Sequence, residues 1–233
     1  MLLSSSSLLS SGPPWHYWRA SHPDIKEMSM AQGTTLALPL HFHQEDQLAF
    51  LLSGCRHFLI AGQSIRLTAG QALLIPANTP HISRDDNPTQ AGQTFCLNLY
   101  LIPGLYTDRA DCAGLIRHHL GEQASRIHLA PPLPLPLPMQ DAPLMGSIQT
   151  LARQARMSRE AYSRRFQRHY GLAPQAFRLL QQLNMTKAQL RSGSSNLQAA
   201  IDAGFADQSH MGRLFRRTFG TTPGRYRVGP APL

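Results

Sequence analysis

Cysteine is scarce in this 233-residue chain: Cys55, Cys96 and Cys112 stand far apart and are odd in number. No Cys-x-x-Cys pair occurs. This argues against a disulfide framework or a structural zinc cluster and fits a reducing cytoplasm. Long apolar runs are also missing. None approaches the ~18 residues needed to cross a bilayer, so no membrane partner is expected. Residues 1–11 are rich in Ser and Leu but lack a basic start and a long apolar stretch, which argues against a secretory signal. Residues 1–14 read as a disordered lead. There is no nucleophile elbow, P-loop or dinucleotide fingerprint, so the motifs do not point to an enzyme.

Acidic residues are few where basic residues are dense. Residues 1–140 carry 8 Lys and Arg against 9 Asp and Glu, whereas residues 141–233 carry 14 against 4. The excess behind the formal charge of +9 therefore lies in the last 93 residues. Thirteen of those 14 cations are arginine. The planar guanidinium fork suits phosphates and guanine edges better than an ammonium does. A cation-rich segment also suits a polyanion, because each neutralised phosphate releases condensed counterions. An anionic membrane or an acidic protein is the competing reading of charge alone.

The hydrophobic content of 42% is that of a globular protein, and it is patterned differently along the chain. Over residues 34–102, short apolar runs alternate with turn signals. Gln47–Leu52 precedes Ser53-Gly54, His57–Ile60 precedes Ala61-Gly62, and Ser64–Leu67 precedes Ala69-Gly70. Ala72–Ile75 and Thr94–Leu101 follow the same rule. Strands of this length and spacing predict a sandwich or barrel. Residues 108–120 then turn helical, with Cys112, Leu115, Ile116, His119 and Leu120 on one face. That face would either pack on its own barrel or make a homodimer.

Residues 131–138 read Pro-Pro-Leu-Pro-Leu-Pro-Leu-Pro, which favours extended polyproline II over roughly 25 Å. Its place at the charge boundary makes it a linker rather than a docking motif. Beyond it the helical period persists. Helices are expected over Ser147–Ala155, Ser158–Tyr170, Pro174–Leu190, Leu197–Ala203 and Asp207–Phe219, with Pro223–Tyr226 closing the module. Two helix–turn–helix units thus flank a central helix. Each pairs a small-residue helix with an Arg-rich amphipathic helix stopped by Gly171 or Gly220. Such a second helix can enter a major groove, which is about 12 Å wide.

Here a resemblance becomes specific. The first unit reads Leu151-Ala152, Ser158-x-x-Ala161-Tyr162-Ser163-Arg164-x-Phe166 and Tyr170-Gly171-x-x-Pro174. The second reads Ala203-Gly204-Phe205-x-Asp207-Gln208-Ser209-His210-Met211-x-Arg213-x-Phe215-Arg216-Arg217-x-Phe219-Gly220-x-x-Pro223-x-x-Tyr226-Arg227. Residues 147–227 resemble the DNA-binding domain of the AraC/XylS family of transcription regulators. The chain departs from that family at Asn184, usually Arg, at Ala199, usually Ile, and at Met211, usually Phe. The resemblance implies base reading by Glu160, Ser163 and Arg164 in the first unit, and by Ser209, His210 and Arg213 in the second. Gln208 would bind adenine or a phosphate. Arg159, Arg165, Arg168, Arg216, Arg217 and Arg227 are better placed as phosphate contacts, which orient without reading sequence. Phe166, Phe215, Phe219 and Tyr226 are expected in the core.

Residues 39–83 resemble the cupin-like jelly-roll sensor commonly fused to this module. The carrying string is Pro39-x-His41-x-His43, Gln47-Leu48, Ser53-Gly54, Gly70 to Pro76 and Pro80-His81. The period-2 spacing of His41 and His43 would aim both side chains one way on a strand. The resemblance implies an effector pocket lined by His41, His43, Gln47 and His81. Gln47 stands where a metal-binding cupin has its carboxylate, and Glu45 is displaced from that place. Contact with an organic effector, a purely structural role and a metal site stay open, and no cofactor is expected.

The fold class expected is therefore α+β in two domains. An all-β cupin-like barrel with a following helix would span 15–128. A Pro-rich linker over 129–143 would lead to an all-α double helix-turn-helix domain over 144–233. The function implied is a cytoplasmic transcription regulator that binds promoter DNA, responds to a small effector and meets RNA polymerase. A ligand-independent DNA-binding protein with a structural barrel, and a metal-dependent cupin enzyme, are the alternatives.

Overall fold

The computed structural model describes residues 14–85, 93–121, 127–131 and 147–226. The lead over residues 1–13, the segment 132–146 and Arg227 lie outside the described residues.

Two sheets form the first half. One has six strands in the order β1 (Trp15–Trp18), β2 (Ile25–Gly33), β9 (Thr94–Leu101), β4 (Asp46–Ser53), β7 (Gln71–Ile75) and β10 (His128–Leu129). The other has four: β3 (Ala37–His41), β8 (His81–Asp85), β5 (Cys55–Ile60) and β6 (Gln63–Thr68). Neighbours are antiparallel except β10, which runs parallel to β7. Of the linker expected over 129–143, Leu129 is instead paired in β10 and the Ala130 N–H donates to Ala72 O at 2.8 Å, while residues 132–143 lie outside the described residues.

Alternation along the strands sets two separate cores. On β9, Phe95, Leu97, Leu99 and Leu101 face outward and are covered by α1 (Arg109–Leu120), which buries Cys112, Leu115, Ile116 and His119 there. The Leu115/Ile116/His119 face, open to barrel or dimer from sequence, is thus covered by the protein's own sheet. The other face of β9 puts Cys96, Asn98 and Tyr100 into the barrel. Strands β1 and β2 precede residue 34, where β structure was expected to start. On β2 the inward residues are Glu27, Ser29 and Ala31, all fully buried. A polar inward face carries no apolar alternation, which is why the pattern did not reveal it.

The second half contains α2 (Ile148–Gln154), α3 (Arg159–Tyr170), α4 (Pro174–Arg191), α5 (Asn196–Asp202), α6 (Gln208–Phe219) and α7 (Pro223–Tyr226). Local chemistry sets their ends. Ser147, Ser158, Ser195 and Asp207 each cap a helix by accepting an amide N–H three residues on. Gly171 and Gly220 stop α3 and α6 in the left-handed region. Pro174 opens α4, whose 18 residues span about 27 Å. The apolar faces of these helices join the barrel interior in one continuous core: Phe42 stacks on Phe177 at 5.5 Å, and Tyr17 meets Tyr226 edge-on at 5.2 Å.

Candidate nucleic-acid interface and histidine cluster

Helices α3 and α6 are each the second member of a helix-turn-helix unit. Each turns a few apolar residues inward: Tyr162 and Phe166 on α3, Met211, Phe215 and Phe219 on α6. Phe166, Phe215, Phe219 and Tyr226 are buried, as expected of core residues. The remaining positions point a cationic, hydrogen-bonding surface outward. Arg159, Glu160, Arg164, Arg165 and Arg168 are exposed on α3, and Ser163 is half-buried. Gln208, Ser209, His210, Arg213, Arg216 and Arg217 are exposed on α6. Such a surface can fork onto guanine O6 and N7 through arginine, and onto phosphates around it. Arg168 also lines a cleft of about 460 Å³ between the barrel wall at Leu40, Leu59 and Ile82 and the end of α3. Arg227, expected on a phosphate, lies outside the described residues.

The three barrel histidines converge. The ring centroids of His41 and His81 are 4.3 Å apart, those of His41 and His43 4.9 Å, and those of His43 and His81 5.5 Å. The reason differs from the one the spacing offered. Only His41 is on β3, opposite His81 on β8; His43 sits beyond the strand end and reaches the others through the turn into β4. His41 Nδ1–H donates to Pro39 O at 2.7 Å, and His81 Nδ1–H donates to Thr79 O at 2.9 Å. A carbonyl only accepts, so both rings carry their proton on Nδ1 and leave a lone pair on Nε2. His81 Nε2 and both His43 nitrogens are buried without a hydrogen-bond partner among the described residues.

Burial first, then the charges of neighbouring histidines and of Lys187, holds His41 and His43 well below their usual value. Burial likewise takes His81 down to about 4. Neutral imidazoles with free lone pairs and backbone-anchored Nδ1–H groups are the donor set of a late divalent metal ion. The candidate ligand atoms lie within 4.8 Å of one another. Bonds of roughly 2.0–2.1 Å would need the rings to close by about an ångström. The residues therefore fit a metal. Gln47 does not add a charge: its Nε2 donates to Asn98 Oδ1 at 2.9 Å, while its Oε1 has no hydrogen-bond partner among the described residues.

The barrel end that holds the histidines is covered by the helical half. Lys187 on α4 ion-pairs with Glu27 on β2, and the phenol of Tyr226 donates to the other oxygen of Glu27. The Lys187 ammonium lies against four rings, at 4.2 Å from Tyr100, 5.3 Å from Phe219, 5.7 Å from Tyr17 and 5.9 Å from Tyr226. Arg191, one turn further, pairs with Glu45 at 2.5 Å and reaches Glu27 at 3.6 Å. Burial pushes the Glu45 carboxyl up, but Lys187 and Arg191 outweigh it and hold it below its ordinary value. Asn184 donates to Phe42 O at 3.0 Å, and Tyr17 donates to Phe219 O at 2.9 Å. The departure from the family at Asn184 is thus a contact between the two halves.

Glu27, Lys187 and Arg191 were not singled out from sequence. The signal was present in α4: Leu180, Asn184, Lys187 and Arg191 follow one face, and a charge on a buried stripe needs a partner.

The fold defines a class of protein, a two-sheet barrel joined to a pair of helix-turn-helix units. Residues 26–91 match the cupin domain family and residues 151–228 the helix-turn-helix domain family. The chain is 33% identical over 84 residues to the HTH-type transcriptional regulator MtrA of Neisseria gonorrhoeae, covering 35% of this chain and 27% of that protein. It is 33% identical over 87 residues to a protein of Streptomyces antibioticus described as an AraC-like transcription regulator, covering 37% and 29%. The matches thus span less than a third of these relatives' lengths. The structure resembles ToxT of Vibrio cholerae, solved with an unsaturated fatty acid bound, with a TM-score of 0.59, 10% identity and coverage of 92% and 99%. The resemblance to the AraC/XylS family and the two-domain fold are borne out. Among the described residues no helix is long and apolar enough to cross a membrane.

Proposed function

We infer that this protein is a sequence-specific DNA-binding transcription regulator whose barrel senses a small effector. One observation carries the reading: the arginine-rich polar faces of α3 and α6 are exposed while their opposite faces are buried on a shared scaffold. Glu160, Ser163, Arg164, Gln208, Ser209, His210 and Arg213 read bases, and the flanking arginines hold phosphates. RNA polymerase at the promoter is the downstream partner, and the site of action is the cytoplasm. The helical half packs over the histidines, which supports a regulatory rather than catalytic use of the barrel. An effector held there acts by favouring one arrangement of the two halves over another.

Footprinting of the purified full chain across genomic fragments tests the reading. Protection of discrete promoter sites is expected. With six to ten phosphate contacts, affinity should fall by about 10³–10⁵ between 50 and 200 mM salt. No preference for any promoter fragment over random duplex would overturn it.

A further inference from the structure

The buried ion pairs between the two halves are balanced in charge. The barrel contributes two buried carboxylates, Glu27 and Glu45; the linker helix contributes Lys187 and Arg191, which pair with them. The histidine cluster shares this space. His43 and the Lys187 ammonium lie against the same two rings, at 4.8 and 4.2 Å from Tyr100 and at 6.0 and 5.3 Å from Phe219. On the barrel wall, Glu27, Tyr100 and Gln47 form one rung across β2, β9 and β4.

The three imidazoles are neutral donors, and Gln47 supplies no negative charge. A divalent ion held by them brings two positive charges into a dry site. Its counter-charge has to come from outside its own ligands: Asp85 on the His81 strand is held by Arg56, and Glu27 and Glu45 are held by Lys187 and Arg191. We propose that a late divalent transition metal ion on His41, His43 and His81 competes with Lys187 and Arg191 for Glu27 and Glu45, so that metal loading and docking of the helical half oppose each other.

With the helices docked, the metal-loaded seam carries two uncompensated positive charges in a low-dielectric setting. With the α4 edge withdrawn, the two carboxylates balance the ion. Linkage makes the effect reciprocal: whatever factor docking removes from metal affinity, metal removes from docking. The ion would thus act as a wedge. No proton or electron transfer is involved, and the linkage does not depend on DNA.

The test is a titration of the untagged full chain, stripped with chelator, with Co²⁺ followed by its visible absorption and with Zn²⁺ followed by calorimetry. One ion per chain is expected, lost in His41→Ala and in His81→Ala. Lys187→Met and Arg191→Met should each tighten Co²⁺ binding tenfold or more, and Glu27→Gln should weaken it. Arg191 is 17% exposed, so its variant gives the readout even where Lys187→Met fails to fold. In a Trp18→Phe background, the emission of Trp15, which packs on Gly220 across the seam, should shift to the red on loading. The proposal is overturned by absence of stoichiometric binding, by equal affinity in wild type and Arg191→Met, or by Trp15 emission that does not move. None of these results bears on whether the full chain protects promoter sites, so failure here is distinct from failure of the regulator reading.

Discussion

Lys187 of the linker helix and Glu27 of β2 form an ion pair that crosses from one half of the molecule to the other with both side chains buried, at 1% and 0% exposure. A pair so buried adds little net stability over well-packed apolar groups, but removing one partner strands the other. Lys187→Met should therefore destabilise the protein by about 3–5 kcal/mol, and Lys187→Met combined with Glu27→Leu should recover much of that loss. Denaturant unfolding of the three chains is the measurement. A double variant as unstable as the sum of its singles would show that the two side chains act independently.

Gly171 and Gly220 offer a matched comparison. Each ends the second helix of its unit with φ near +75°, at 75° and 74°. A Cβ at Gly171 meets nothing within 4 Å among the described residues, whereas a Cβ at Gly220 would run into the Trp15 indole. Alanine at either position pays the left-handed penalty of about 1–2 kcal/mol. Only Gly220→Ala also forces β1 away from α6. Its melting temperature should fall further than that of Gly171→Ala, with a red shift in Trp15 emission. Equal losses would mean that the seam yields freely at this point.

The helical half was legible almost residue by residue, because its signals are local. Stop glycines and the 3.6-residue stripe state their own positions, and α3 and α6 end where those residues placed them. Strands β4 to β7 and β9 were legible for the same reason. Strand β2 was not, because its inward face is Glu27, Ser29 and Ala31 rather than an apolar row. The convergence of His41, His43 and His81 was legible as a motif, though its geometry was not: His43 arrives from a turn, not from the strand. The seam was invisible, since Glu27 and Lys187 are 160 positions apart and nothing local ties them together.

The two roles proposed for arginines on α3 separate by how their loss is felt. Arg164→Ala should cost ~1–3 kcal/mol of specific binding and relax preference at one base pair. Arg165→Ala should weaken binding to all sequences about equally and lower the salt slope by about 1. Competition binding against single-base operator variants at two salt concentrations distinguishes them. If Arg164→Ala kept the full sequence preference, its base-reading role would be lost.

His119 makes the barrel half sensitive to acid. It is buried on α1 at 7% exposure beneath the six-stranded sheet. Burial, then the charges of His118 and His22, lowers its value from 6.5 to about 4. The native state therefore keeps the ring neutral in a range where the unfolded chain binds a proton. Between these two values the unfolded state holds more protons, so stability falls as pH drops from 6.5 towards 4 and is unaffected by this group above neutrality. At pH 5 the loss should be roughly 1–2 kcal/mol. His119→Leu keeps an apolar side chain at this buried position of α1 and removes the titrating ring. Its unfolding midpoint should drop less than that of wild type between pH 7.5 and pH 5. Parallel losses in the two proteins would assign the acid sensitivity to other groups.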